Sequence, residues 1–408
     1  LGSPDGGVEI HADAGRAGSA TSSRARGPGV GRAAPAAPAA PSAADFDFAV
    51  AGPADEPEIR RLMGSVAMPG DVAIRFAREP DYFLGATIMG DPFQVIIARH
   101  RPGGELAGIL FRGERRVFLN GVEAPVGYIG QIRAAPRFEG RWLLARGLPF
   151  FRTLGDPAMR YLGVIASENG RARGVLAGRR PPGGLRVVPI SGLTTLALVV
   201  RRARQPRESG GLVAEHATGA TLPEVVTFLR REGPRRQLYP AYRLEDFTGG
   251  ATMRDLDPGS IVVVRHRGAI AGVAAVWDQS AYKQDVVDGY GPSIRRIAPA
   301  WSVLSRFIGA RPLPRVGEPL ASAFLACLAV AGDRPPVLRL LLSTALADAA
   351  GRGLAFLTAG FADGDVLLPV ARRFLHFTYR SEVFLGSWAG DPVADLDGRT
   401  PYVEIATL

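Results

Sequence analysis

Apolar residues fall in short runs along most of the chain, and one arrangement of them occurs twice. A run over residues 93–98 enters Arg99-His100-Arg101, crosses a Gly-rich turn and leaves as Leu106-Ala107-Gly108-Ile109. A second run over 261–264 enters Arg265-His266-Arg267 and leaves as Ile270-Ala271-Gly272-Val273. Two apolar runs joined by a tight turn predict an antiparallel hairpin. A hairpin that recurs a whole domain later predicts duplication of one fold rather than a solenoid.

The flanking pattern extends the duplication. The first copy predicts a strand at 46–51 and a helix at about 55–63, with Asp55 and Glu56 in the first turn, where the helix dipole favours acids. After an irregular stretch to 90 come the hairpin, a short strand at 116–119, a strand at 126–132, a helix at 140–153, a strand at 160–166, a short helix at 170–177 and a strand at 193–200. The second copy predicts a helix at 222–231, the hairpin at 260–277, a strand at 323–330, a helix at 335–350, a strand at 354–361, a helix at 366–377 and a strand at 382–388. Between its hairpin and its next strand lies an inserted helix whose Ile294, Ile297, Trp301, Leu304 and Ile308 share one face, expected to pack on the second core. The order is α+β: two tandem domains, each a mixed, mostly antiparallel sheet flanked by helices.

Composition sets the boundaries. With 408 residues and 47% hydrophobic content the chain can fill two cores. Residues 1–44 are rich in Gly, Ala, Pro, Ser and Arg, with little to bury, and are expected to form a disordered tail. The domains are then expected at 45–200 and 216–408, with a linker at 201–215. No segment has the continuous apolar core of an export signal or the length to span a bilayer, so a cytoplasmic protein with no membrane partner is expected. The net charge of +10 is almost wholly arginine, Lys283 being the only lysine. The clusters at Arg201, Arg202, Arg204, Arg207 and at Arg230, Arg231, Arg235, Arg236 flank a linker and a helix end without interleaved aromatics, which argues against nucleic acid. Cys327 is the only cysteine and the five histidines are scattered, so neither an internal disulfide nor a metal site is expected. Apolar neighbours make Cys327 a buried filler rather than a nucleophile.

The segment that carries chemistry is Val126-Gly127-Tyr128-Ile129-Gly130-Gln131-Ile132, a strand that runs into Arg137-Phe138-Glu139-Gly140-Arg141-Trp142 at the start of a helix. A helix N-terminus offers unpaired amides and partial positive charge to a diphosphate. Gly140 removes a side chain where phosphate would approach, and Arg137 adds a planar charged fork. By itself this junction also fits an ordinary turn. The helix leads to the 160–166 strand, which ends in Ser167-Glu168-Asn169-Gly170-Arg171-Ala172-Arg173.

This set resembles the GCN5-related N-acetyltransferase (GNAT) superfamily, through the strand before the loop, the Arg-x-x-Gly loop and the Asn169-x-x-Ala172 step onto the next helix. The resemblance implies acetyl-CoA or another acyl-CoA as co-substrate, its pantetheine lying like an extra strand along 129–134 and its diphosphate on the amides of 138–142. Ile132, Arg133, Ala134, Arg137, Phe138, Glu139, Gly140, Arg141, Trp142, Asn169 and Ala172 would contact it. The activity implied is N-acyl transfer to an amine of a small molecule or peptide. Two positions depart from the pattern: Trp142 stands where the family has Gly or Ala, and Leu176 where it often has a Tyr general acid. Glu123 and Tyr128 are the candidate proton-transfer residues, each with a plain alternative, a solvated acid after a turn and a core phenol. Ser167 and Glu168 also stand at a strand end that can face substrate, with Glu168 equally suited to starting the next helix. In the second copy the junction reads Ala331-Gly332-Asp333-Arg334-Pro335-Pro336, where prolines lack amide hydrogens and Asp333 repels phosphate while suiting a helix start. That domain is expected to hold no CoA. The competing readings are a non-catalytic acyl-CoA sensor or scaffold with the same fold, and an aminoacyl transferase of peptidoglycan synthesis that uses charged tRNA, against which the Arg-x-x-Gly loop argues.

Overall fold

The computed structural model of the chain describes residues 45–68, 70–140, 143–170, 174, 184–202 and 210–408. The expected tail and most of the expected 170–177 helix lie outside them. Within them sixteen strands run in chain order: β1 (Phe46–Val50), β2 (Ala67–Met68), β3 (Val72–Ala77), β4 (Phe93–His100), β5 (Leu106–Leu119), β6 (Val122–Ala134), β7 (Tyr161–Ala166), β8 (Arg186–Val199), β9 (Leu212–His216), β10 (Tyr239–Pro240), β11 (Ile261–His266), β12 (Ala269–Trp277), β13 (Gln284–Tyr290), β14 (Ser322–Val330), β15 (Phe356–Ala362) and β16 (His376–Ser387). Thirteen of them form one sheet in the order β1-β4-β5-β6-β7-β16-β8-β15-β14-β12-β11-β9, with β10 added to β5; β13-β3-β2 form a second, small sheet.

That order is a near-palindrome. From the left edge, β1-β4-β5-β6-β7 match β9-β11-β12-β14-β15 read from the right edge, and the two parallel strand pairings, β6 with β7 and β14 with β15, fall at corresponding places. The last strand of each copy crosses over: β16 pairs with β7 of the first copy, and β8 pairs with β15 of the second. β8 and β16 also pair with each other over their full length, so the two halves share an unbroken ladder.

The repeated motif has an architectural explanation. In both hairpins the register shifts at the same step, between Ala98 and Arg99 and between Val264 and Arg265. The shifted arginine reaches the first turn of its own half's leading helix: Arg99 meets Asp55 at 2.6 Å and Glu58 at 2.9 Å, and Arg265 meets Glu224 at 2.6 Å. The repeated glycine lets the next helix approach the sheet. A Cβ on Gly272 would lie 2.5 Å from Val337 and 2.9 Å from Leu341, and one on Gly108 would lie 3.2 Å from Leu143. Val337 and Leu341 belong to the Pro335–Gly351 helix, and Leu143 opens the Leu143–Arg152 helix. These two helices cover corresponding stretches of one sheet face, each over its own apolar cluster. On the other face one core runs across both halves, joining Ile59 and Met63 of the first to Trp277 and Cys327 of the second.

Four expectations change. The 212–216 stretch, expected within a linker, is β9, held as an edge strand on β11. The irregular stretch before 90 contains β3, whose partner β13 lies more than 200 residues away, beyond the reach of any local signal. The 116–119 strand is the end of a continuous β5. The expected 366–377 helix shrinks to Leu368–Ala371, because pairing on both sides claims the chain for β16 from His376 onward. The inserted helix forms as Pro292–Ile308 and buries Ile294 and Trp301, but Leu304 stays 49% exposed, so its stripe is only partly a core face.

Candidate active site

The parallel pairing of β6 with β7 lasts only from Gly127 to Ile129, after which the strands part. A backbone bulge marks the separation: Gln131 has φ +50° and the register on β5 shifts beside it. Between the diverging ends lies a cleft of about 840 Å³. Ile129 to Ala134 of β6 and Gly163 to Ala166 of β7 line it, together with Leu148, Phe151 and Phe384 of the exchanged β16. An extended ligand can lie there against open strand edges, which offer it backbone donors and acceptors.

The second half carries the same break, already filled. Cys327, with φ +54°, is its bulge residue. Its N–H donates to Glu404 Oε2 at 2.8 Å, and the Leu328 N–H donates to the Tyr402 hydroxyl at 3.2 Å. Ile405 packs against Gly360 of β15. The segment 402–408 thus occupies the gap between β14 and β15, and about 30 Å³ of space remains beside it. Glu404 is 4% exposed. Burial pushes its carboxyl up, while donors from Cys327, Tyr242, Tyr402 and Ala406 hold it down. Asp333 does not cap the next helix, as expected, but binds Arg235 at 3.1 Å and Arg236 at 2.7 Å. One half therefore has an open cleft and the other a self-filled one.

Solved structures share the fold. Saccharomyces cerevisiae N-myristoyltransferase with bound myristoyl-CoA aligns at a TM-score of 0.57 and 12% identity, over 90% of this chain and 91% of that one. A GCN5-related glucosamine N-acetyltransferase region of a fungal multi-domain β-N-acetylglucosaminidase aligns at 0.56 and 14% identity, over 85% of this chain and 38% of that longer one. A GCN5-related N-acetyltransferase from Sphaerobacter thermophilus aligns at 0.50 and 12% identity, over 89% of this chain and 99% of that one. The chain has a tandem GNAT fold. No family model and no curated protein matches the sequence.

Within the GNAT frame the residues singled out from the sequence separate into groups. Ile132, Arg133, Ala134, Phe138, Glu139, Gly140 and Asn169 all line the cleft. Gly140 has φ +75°, and a Cβ there would meet no atom of the described residues within 4 Å. The amide set is smaller than expected. The Phe138 and Glu139 N–H groups already donate to Ala135 O at 2.7 Å and Pro136 O at 3.3 Å, in the short helical turn before the loop. The Phe138 ring lies in an apolar cluster with Phe46, and Arg137 is paired with Glu105 at 2.7 Å, its side chain 75% exposed. Arg141, Trp142, Ala172 and Leu176 lie outside the described residues.

Glu123 is not brought to the cleft. It sits near the start of β6, at the far end of the strand, bound by Arg116, Arg230 and Arg243. Hydrogen bonds from Arg230 and Arg116 pull its carboxyl down to about 2, which leaves it a poor proton acceptor. Tyr128 is buried, and its phenol folds over Gly130, whose missing side chain leaves the room. That brings the hydroxyl beside the bulge. Burial pushes its pKa up, so the group stays protonated at neutral pH. Glu168 also lines the cleft, beside Gly70, at the end of β7.

Sequence reading misses a buried polar region between β6, the small sheet and the C-terminal segment. It holds Arg78, Tyr82, Arg115, Lys283 and Asp285, from stretches with no recognisable motif. The Lys283 amine donates to Ala406 O at 3.2 Å and Leu408 O at 2.9 Å and faces the Phe324 ring. Burial, aided by Arg78, brings its pKa down to about 7. Between about pH 7 and the ordinary lysine value near 10.4 the unfolded chain holds a proton that the folded chain has released, so raising the pH favours folding. Urea midpoints at pH 7 and pH 9 should therefore rise for the wild type relative to Lys283→Met, by roughly 1.4 kcal/mol per pH unit. Parallel pH profiles would show that the amine keeps its proton in the fold.

Among the described residues no group of His, Cys, Asp and Glu can hold a metal ion, and no helix is long and apolar enough to cross a membrane.

Proposed function

We propose that the protein is an acyl-CoA-dependent N-acyltransferase whose first half binds the thioester and whose second half, plugged by its own C-terminal segment, forms the acceptor-side wall. The carrying observation is the contrast between the open cleft of about 840 Å³ in the first half and the filled counterpart of about 30 Å³ in the second. The pantetheine arm lies along residues 129–134 and the diphosphate reaches the turn at Gly140. The structural neighbours are an N-myristoyltransferase with bound myristoyl-CoA and GCN5-related acetyltransferases, which supports acyl-CoA as co-substrate.

The chemistry is attack of an amine nitrogen on the thioester carbon, forming the C–N bond, followed by loss of the CoA thiolate. The β6 bulge turns backbone toward the thioester oxygen, where amide donors steady developing negative charge. Tyr128, kept protonated by burial, hands a hydrogen bond to the reacting thioester, and Glu168 is the carboxylate placed to receive the amine proton.

Calorimetry with acetyl-CoA and longer acyl-CoAs, followed by thiol release over an amine panel, tests the proposal. Binding and amine-dependent release are expected. Binding without release would leave an acyl-CoA sensor, and no binding would leave a scaffold. Tyr128→Phe should lower kcat about tenfold, the loss of one transition-state hydrogen bond of about 1.4 kcal/mol, with acyl-CoA affinity unchanged. An unchanged kcat would remove the phenol from the mechanism.

A further inference from the structure

Arg133 and Arg78 are two guanidinium groups with no acid bound to either among the described residues. Arg133 follows the β6 bulge and lines the cleft. Arg78 follows β3 and is 2% exposed. Both lie against the same ring: Arg133 is 5.3 Å and Arg78 5.4 Å from the centroid of Phe76. Each donates to a carbonyl beside it in the chain: Arg78 to its neighbour Ala77 at 2.7 Å, and Arg133 to its neighbour Ile132 at 2.9 Å. The Nε of each is buried without a partner, and so is the hydroxyl of fully buried Tyr82. Asp285 attracts Arg78 without a hydrogen bond to it: burial pushes its carboxyl up while Arg78 and Lys283 hold it down, and its Oδ1 is itself unpartnered. Arg115 and Lys283 add positive charge nearby, against Glu404, whose hydrogen bonds are already taken.

Buried guanidinium groups that repel each other are costly unless something supplies acceptors. The orphaned Nε groups of Arg78 and Arg133 can only donate and the Tyr82 hydroxyl has a proton to donate, so one anion with several oxygens satisfies all three. We infer that Arg78, Arg133 and Tyr82 seat the anionic group, a carboxylate or a phosphate, of the acceptor that carries the attacking amine. The inference rests on the acyltransferase reading and narrows its acceptor class. It places the anion beside the bulge in β6, so that an amine a few bonds away meets the thioester.

The test uses the full chain with saturating acyl-CoA and follows release of the CoA thiol with glycine against glycinamide, with 4-aminobutyrate against its amide, and with aminomethylphosphonate. At least one anionic amine is expected to exceed its neutral partner tenfold or more in kcat/KM, and the carboxylate and phosphonate arms tell which anion is meant. Arg78→Met should abolish that preference, mainly through KM, with acyl-CoA affinity unchanged. Its melting temperature should hold or rise, because an uncompensated buried charge has been removed. A preference below twofold in the wild type, a preference that survives Arg78→Met, or a marked fall in melting temperature in that variant would overturn the inference. Tyr82→Phe, which keeps the ring, should weaken the preference in the same direction. If acyl-CoA binds but no amine reacts, the transferase reading fails by itself, and the seat is read by calorimetry with malonate and with phosphate in the presence of CoA. Binding that weakens tenfold in Arg78→Met supports the seat; no binding to the wild type sinks it.

Discussion

Gly140→Trp is expected to weaken acyl-CoA binding at least a hundredfold in calorimetry while lowering stability in urea by no more than about 1–2 kcal/mol. Two physical reasons add. Gly140 has φ +75°, a conformation that costs an L side chain roughly 1–2 kcal/mol. No atom of the described residues lies within 4 Å of where a Cβ would stand, and it is there that a diphosphate would approach the turn. An indole placed there removes the seat itself. Gly140→Ala separates the two effects, since a methyl group meets no atom of the described residues and leaves the backbone cost, an affinity loss of about tenfold at most. The turn is exposed, so neither variant disturbs a core. Wild-type affinity in Gly140→Trp would mean that the diphosphate lies elsewhere and that the open cleft serves another ligand.

The second large effect is structural. Glu404→Ala is expected to cost about 3–5 kcal/mol in urea denaturation, the range for removing one member of a buried, hydrogen-bonded charged set. Glu404 accepts from the Tyr242 and Tyr402 hydroxyls at 2.9 Å each and from the Cys327 N–H at 2.8 Å. Without the carboxylate these donors are buried with no acceptor, at about 1–3 kcal/mol each before relaxation. Glu404→Gln keeps the shape and one acceptor oxygen and should cost markedly less. A loss below about 1 kcal/mol in Glu404→Ala would show that water replaces the carboxylate, and hence that the second cleft is not sealed by residues 402–408.

The two predictions fall on opposite sides of what a sequence shows. The loop at Gly140 is legible because its chemistry is local: a strand, a glycine and a helix start follow one another in the chain. The hairpins are legible because the turn and the period of two lie within about twenty residues, and their repetition reveals the duplication. Glu404 is not legible. It stands in Tyr402-Val403-Glu404-Ile405, an ordinary run whose meaning depends on a strand about 80 residues earlier parting from its neighbour. Arg78 and Lys283 are hidden for the same reason, since neither belongs to a motif and each is defined by burial. Glu123 shows the converse. Its position on the strand before the loop suggests chemistry, yet a strand of 13 residues is long enough to put its two ends in different places, and three arginines from other segments claim the carboxylate.

From its residue order the chain settled the α+β class, the doubling of one unit, most strands and helices, and the glycine turn that follows β6, because each of these is written in hydrophobic period and turn chemistry over short spans. Tertiary structure decided the exchange of β8 and β16 between the halves, the bulges that split both parallel pairs, and which of the two resulting gaps stays open. Those outcomes depend on pairings between residues far apart in the chain, where the sequence carries no period to read and only packing, charge and hydrogen bonding select the partner.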